Sequence, residues 1–230
     1  PELTYEMFKG FHDAYYHPTN ARIFFYGDDD PDERLRRMDG YLHGYTRQEV
    51  DSQVAYQTPF KEPRRLTFPF DPGEGQDHLK AMQVENWLLT DNQDPERTLA
   101  LNILSHALIG TPASPLRKAL IDSSLGEDLA GAGLENDILQ MYFSIGLKGV
   151  ALDHTDQVQE LIDMTLRQLA DRGIDPGTIA ASMNTVEFRL RENNTGSFPR
   201  GISLMLRSLT TWLYGGDPIA PLAFEKPLNR

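Results

Sequence analysis

Cysteine is absent from all 230 positions, which excludes disulfides, thiolate nucleophiles and cysteine-ligated metals from the chain's chemistry. A reducing interior, such as cytosol or an organelle matrix, fits that composition. Long apolar runs are missing too. No stretch approaches the roughly 20 residues that a membrane-spanning helix needs, so no membrane partner is expected. Positive charge is scarce: 22 Lys and Arg stand against 34 Asp and Glu, a net charge of −12 with a pI near 4.9. Such a field repels nucleic acid and anionic lipid and draws cationic partners. Plain solubility and electrostatic steering are both open readings of it. The start lacks an initiator methionine and a secretory apolar core. It reads PELTYEMF, already helix-like, and the expectation is a segment of a longer protein.

What is present is globular. Hydrophobic residues make up 40% and charged residues 24%, which separates the chain from disordered sequences. Asp30-Pro31, Asp94-Pro95 and Asp175-Pro176 each place a capping carboxylate before a proline whose missing N–H costs nothing at the first helical position. After Asp30 the apolar residues Leu35, Met38, Leu42 and Tyr45 recur at helical spacing, and after Asp175 Ile179, Met183, Val186 and Leu190 do the same. A further helix is expected through Val158, Leu161, Ile162 and Leu169, closed by Gly173 in a left-handed cap. Another runs from Ile202 through Leu213 to Gly215-Gly216.

LQMYFSIGLKG (139–149) is the clearest strand. Leu139, Met141, Phe143, Ile145 and Leu147 alternate with Gln140, Tyr142, Ser144, Gly146 and Lys148, the pattern of a sheet covered on one face. Residues 21–27 and 78–89 are weaker strand candidates. Strands and helices cluster instead of alternating, so the fold class expected is α+β: an antiparallel-rich sheet with helices packed on one face. The polar, proline-bearing stretch Gln48–Pro72 is the best boundary. It divides a helix–strand–helix unit from the rest: residues 1–50, a linker at 51–64, and a domain over 65–230.

No local pattern assembles an active site. The histidines (12, 17, 43, 78, 106 and 154) fall in no H-x-x-E-H or H-E-x-x-H motif, and His12 and His17 read as partly buried beside Tyr15 and Tyr16. Asp28-Asp29-Asp30 lacks the spaced oxygen ligands of a calcium loop and reads as a strand end leading into a helix N-terminus. Gly131-Ala132-Gly133 begins a G-x-G-x-x-G, but Asn136 stands at its third glycine and a strand follows. No G-x-S-x-G is present. Lys118, Arg189, Arg191 and Arg200 read as solvated faces. RENNTGSFPRG (191–201) reads as a connector between helices: Asn193 or Asn194 closes one, Ser197 caps the next, and Pro199 lies near its first turn.

Several long blocks nevertheless resemble one family together. YYHPTNARIFFYGDDDP, LIGTPASPLRKALIDSSLGED, LQMYFSIGLKGV and SMNTVEFRLRENNTGSFPRGISLMLRSL followed by DPIAPLAFEKPL are similar, in collinear order, to the pitrilysin-type (inverted-zincin) metalloendopeptidases, in their organellar presequence-degrading branch. The resemblance implies a two-halved clamshell around a chamber, with residues 1–50 the tail of the first, catalytic domain and 65–230 the second, non-catalytic one. It implies zinc in the full-length parent, held by an H-x-x-E-H helix and a distal glutamate upstream of Pro1. No catalytic or metal residue is then expected here. Implied substrates are unfolded cationic peptides, chiefly cleaved targeting presequences, in the mitochondrial matrix or chloroplast stroma. Other domains of the same chain are the further partners.

Some relatives of this type grip the far end of a peptide by strand addition to the second domain. The similar positions here are Gly110, Thr111, Gly131, Ala132 and Gly133, for which an ordinary glycine-rich turn is the competing reading. Two functional alternatives stand beside the peptidase: a zinc-less homologue that binds peptide or stabilises an assembly, and a vacuolar or plastid peptidase of the same family.

Overall fold

The structure, a computed structural model, describes residues 2–71, 80–193 and 195–228. Pro72, His78 and Asn194, which enter the boundary, strand and connector readings above, lie outside the described residues. The elements are α1 (Tyr5–Tyr15), α2 (Pro31–Leu42), β1 (Lys80–Asp91), α3 (Pro95–Ile109), α4 (Pro115–Asp122), β2 (Asp128–Glu135), β3 (Gln140–Ala151), α5 (Thr155–Arg172), α6 (Pro176–Glu192), α7 (Arg200–Trp212) and the short α8 (Glu225–Leu228).

The α+β class holds. Three antiparallel strands in the order β1-β3-β2 form one sheet. The alternation in β3 decides which face is covered. Ile145, Leu147 and Val150 are fully buried against Leu116 and Leu120 of α4 and Val158 and Ile162 of α5. Each such side chain contributes about 1.5–3 kcal/mol by leaving water. Helices α3, α4 and α5 contact the strands, and α6 packs on α3 as an outer layer. On the opposite face Met82, Asn86, Leu88 and Lys148 are exposed.

The Asp-Pro reading of helix starts is met at all three sites. Asp30 accepts from Asp32 N–H, Asp94 from Glu96 and Arg97 N–H, and Asp175 from Thr178 N–H. Helix α2 stops at Leu42, short of Tyr45. Gly173 has φ +81° but ψ 165°, so it ends α5 with positive φ in an extended shape, not a left-handed helical one. Asn193 closes α6 at φ 42°, ψ 41°, the left-handed geometry asparagine tolerates. Ser197 does not cap α7. Phe198 N–H bonds back to Thr195 O, forming a turn, and Pro199 takes the cap position with no side-chain bond. His12 is exposed and stacks on Tyr16 at 4.7 Å instead of being partly buried.

Residues 21–27 correct a second expectation: they form no strand. A strand exists only through its partner's hydrogen bonds, and no described strand pairs with this stretch. It lies along α7 instead, with Arg22 5.8 Å from the Trp212 ring. The Tyr26 ring sits so close to Gly201 that a Cβ there would come within 2.6 Å of Tyr26 Cδ1. That contact explains one glycine of the 191–201 connector. The Asp28–Asp30 triplet accordingly follows an unpaired segment: Asp30 caps α2 and Asp29 pairs with Arg34.

One carboxylate is placed against expectation in the covered layer. Glu85 of β1 lies opposite Ile145, and its Oε1 is shielded without a hydrogen-bond partner. Burial, and then Asp163 of α5, push its pKa up to about 7.

Candidate functional site

The glycine-rich stretch 129–133 is not a turn. It lies within β2, a strand at the edge of the sheet. Ala130 faces Gly146 and Gly133 faces Ser144, so Gly131 and Ala132 together oppose the single residue Ile145. This is a β-bulge, which bends an edge strand and re-aims its polar groups. Gly131 takes φ +88° and Gly133 φ +75°. At Gly131 a Cβ would stand 2.7 Å from the Ser144 carbonyl, and at Gly133 2.8 Å from Ile109 Cδ1. Both conditions require glycine, through backbone conformation and through space.

The end of α3 meets this bulge. Ile109 and Ser105 pack at Gly133, and Leu134 N–H donates to Ser105 Oγ at 3.2 Å. Gly110 follows immediately as the C-cap of α3, its N–H bonded to His106 O at 2.8 Å. Thr111 N–H donates to Ser114 Oγ at 3.0 Å, and Ser114 Oγ donates in turn to His106 O at 3.3 Å. The turn is thereby fastened to the start of α4. His106 Nδ1 lies 3.0 Å from Ser182 Oγ of α6, and burial, with Arg189 second, lowers its pKa.

The two groups of residues singled out in sequence are thus linked through Ile109, which precedes Gly110 and packs at Gly133. Gly110, Thr111, Gly131 and Ala132 are exposed, whereas Gly133 is buried. What the sequence reading missed is the support: Ser105, Ile109, His106 and Ser114. The i, i+4 pair Ser105 and Ile109 marks one face of α3, yet nothing local says that this face meets β2.

Such a strand edge presents main-chain donors and acceptors to an extended peptide, and small side chains let a second backbone approach. It offers no group for bond breaking. Among the described residues no cluster of three or more His, Asp or Glu is placed to hold a metal. The described residues do not fit zinc, and no chemical step is assigned to them. No described helix is long and apolar enough to cross a membrane.

Residues 2–186 match the family model of the peptidase M16 inactive domain. The chain belongs to the M16 peptidase family. It is 50% identical over 233 residues to presequence protease 1, chloroplastic/mitochondrial, of Arabidopsis thaliana, covering all of this chain and 22% of that protein. Protein HypA of Clostridium perfringens is 36% identical, over 100% of this chain and 24% of its own length. The mitochondrial presequence protease of Xenopus laevis is 31% identical, over 100% and 22%. The chain therefore spans roughly a fifth to a quarter of these curated relatives. Among solved structures, an M16-like peptidase of Alicyclobacillus acidocaldarius superposes with TM-score 0.64 at 21% identity, over 99% of this chain and 53% of that one. A Helicobacter pylori protease gives 0.65 at 17%, over 99% and 56%. These two likenesses concern the fold.

Proposed function

We propose that this M16 chain is a non-catalytic, peptide-binding part of a zinc metalloendopeptidase that degrades cleaved presequences and other short unstructured peptides. Residues 65–230 are its second domain, 51–64 a linker, and 1–50 the tail of the catalytic domain. The zinc ligands and the general base belong to another part of the protein. The names of its relatives support a mitochondrial or chloroplast setting.

The observation that carries this reading is the bulged edge strand β2. Gly131 and Ala132 are exposed there, Gly133 next to them packs on Ile109, the residue before Gly110, and an unfolded peptide adds to such an edge through its main chain. The net charge of −12 favours arginine-rich, acid-poor peptides by long-range attraction. The exposed sheet face carrying Met82, Asn86 and Leu88 forms chamber wall in this arrangement.

The test is Ala132→Pro in the whole protein, with hydrolysis followed for long and short peptides. Proline removes an edge N–H and obstructs pairing. Losing one or two main-chain bonds at about 1 kcal/mol each raises KM for long peptides roughly tenfold and leaves short ones, which do not reach β2, unchanged. Equal effects on both lengths contradict strand addition.

A further inference from the structure

A second feature has no part in the peptide edge. A cavity of about 350 Å3 opens between the first turns of α3, the β2–β3 turn and the segment from α7 to α8. Leu99, Phe198, Leu206 and Phe224 supply apolar wall. Its volume sits at the small end of the range for small-molecule pockets, about 300–1,000 Å3, and is too small for a folded element of a partner.

Polar side chains, Asn92, Asn102, Asn136 and Ser203 among them, interrupt the wall, and two charged ones stand in it, Arg207 and Asp137. Half-buried Arg207 reaches only Asn193 Oδ1, at 3.4 Å, and forms no ion pair among the described residues. Asp137 lines the same space, also without an ion pair among the described residues. Burial, then Glu135, holds its carboxyl above the usual range. The two opposite charges do not pair with each other across the cavity.

We propose that this cavity binds a small zwitterion with an apolar side chain, a free amino acid or a dipeptide. Its carboxylate meets Arg207, its ammonium meets Asp137, and its side chain fills the space between Phe198, Leu206 and Phe224. The choice follows by elimination. A plain anion meets the Asp137 carboxylate, a plain cation meets the Arg207 guanidinium, and a neutral apolar molecule leaves both charges unanswered. The site does not depend on the peptidase reading.

The test uses the whole protein and isothermal titration calorimetry. The probes are phenylalanine, leucyl-phenylalanine, and the N-acetyl and C-terminal amide forms of each. Saturable one-to-one binding of either free zwitterion is expected, weakened about tenfold or more by each cap through loss of a charge-assisted bond. Arg207→Gln removes the difference between free acid and amide, and Asp137→Asn the difference between free amine and acetylated amine. If Arg207→Gln is misfolded by circular dichroism, the rim variant Asp137→Asn decides. Absence of saturable binding, indifference to both caps, or binding unchanged in a folded Arg207→Gln or Asp137→Asn protein overturns the proposal.

Discussion

Residues 2–43 and residues 80–222 use the same ingredients to opposite effect. Both contain well-capped amphipathic helices. In the first region Thr4 caps α1 and Asp30 caps α2, yet neither helix has a buried residue. Tyr5, Phe8, Phe11 and Leu35 are each at least 58% exposed. In the second region Leu116, Leu120, Val158 and Ile162 are closed off completely. Caps and propensity set where a helix begins, but packing of its apolar stripe supplies most of its stability. An apolar stripe left open on that scale is an interaction surface, and in the reading above it belongs to the catalytic domain.

The difference can be broken at several points. Ile145→Ala opens a cavity under α4 and α5, with an expected loss of about 3–4 kcal/mol in urea denaturation. A loss below about 1 kcal/mol would place the core elsewhere. Glu85→Gln goes the other way. The folded pKa of Glu85, about 7, lies above its ordinary 4.5, so the folded state holds the proton more tightly. Stability therefore falls as pH rises through that window, and the neutral amide removes the fall. Because Glu85 is only half-buried, solvent screening trims the gain to about 1 kcal/mol at pH 8, vanishing near pH 4. A variant no more stable than the parent at pH 8 contradicts the placement of Glu85 beside Asp163. Smallest is Phe11→Ala. With its ring already in water, this chain on its own loses less than about 0.5 kcal/mol, whereas the whole protein loses about 3 kcal/mol or more. Equal effects in the two settings would erase the contrast between the regions.

The sequence was legible where one local signal sufficed. Asp-Pro marked three helix starts, and period-two alternation marked β3 with the correct face inward. It was less legible where a partner decides. Residues 21–27 carry strand-like composition without a strand beside them, and β2 hides its identity because a bulge of glycines has no side-chain alternation to read. The two groups of positions taken from the family resemblance are linked, but the reason is Ser105 and Ile109 contacting Gly133 and Leu134, residues far apart in sequence. The cavity was invisible for the same reason: Leu99, Asp137 and Arg207 come to one space only through the packing of α3 and α7 around the β2–β3 turn.

Amide hydrogen exchange, compared between this chain alone and the whole protein, tests the central division most directly. The amides of β3 and α5 should exchange at similar rates in both. Those of α1 and α2 should exchange at least about a hundredfold faster in the chain alone, the counterpart of roughly 3 kcal/mol of missing packing. Equal protection of α1 and α2 in the two settings would show that residues 2–43 need no core beyond this chain and would contradict the account.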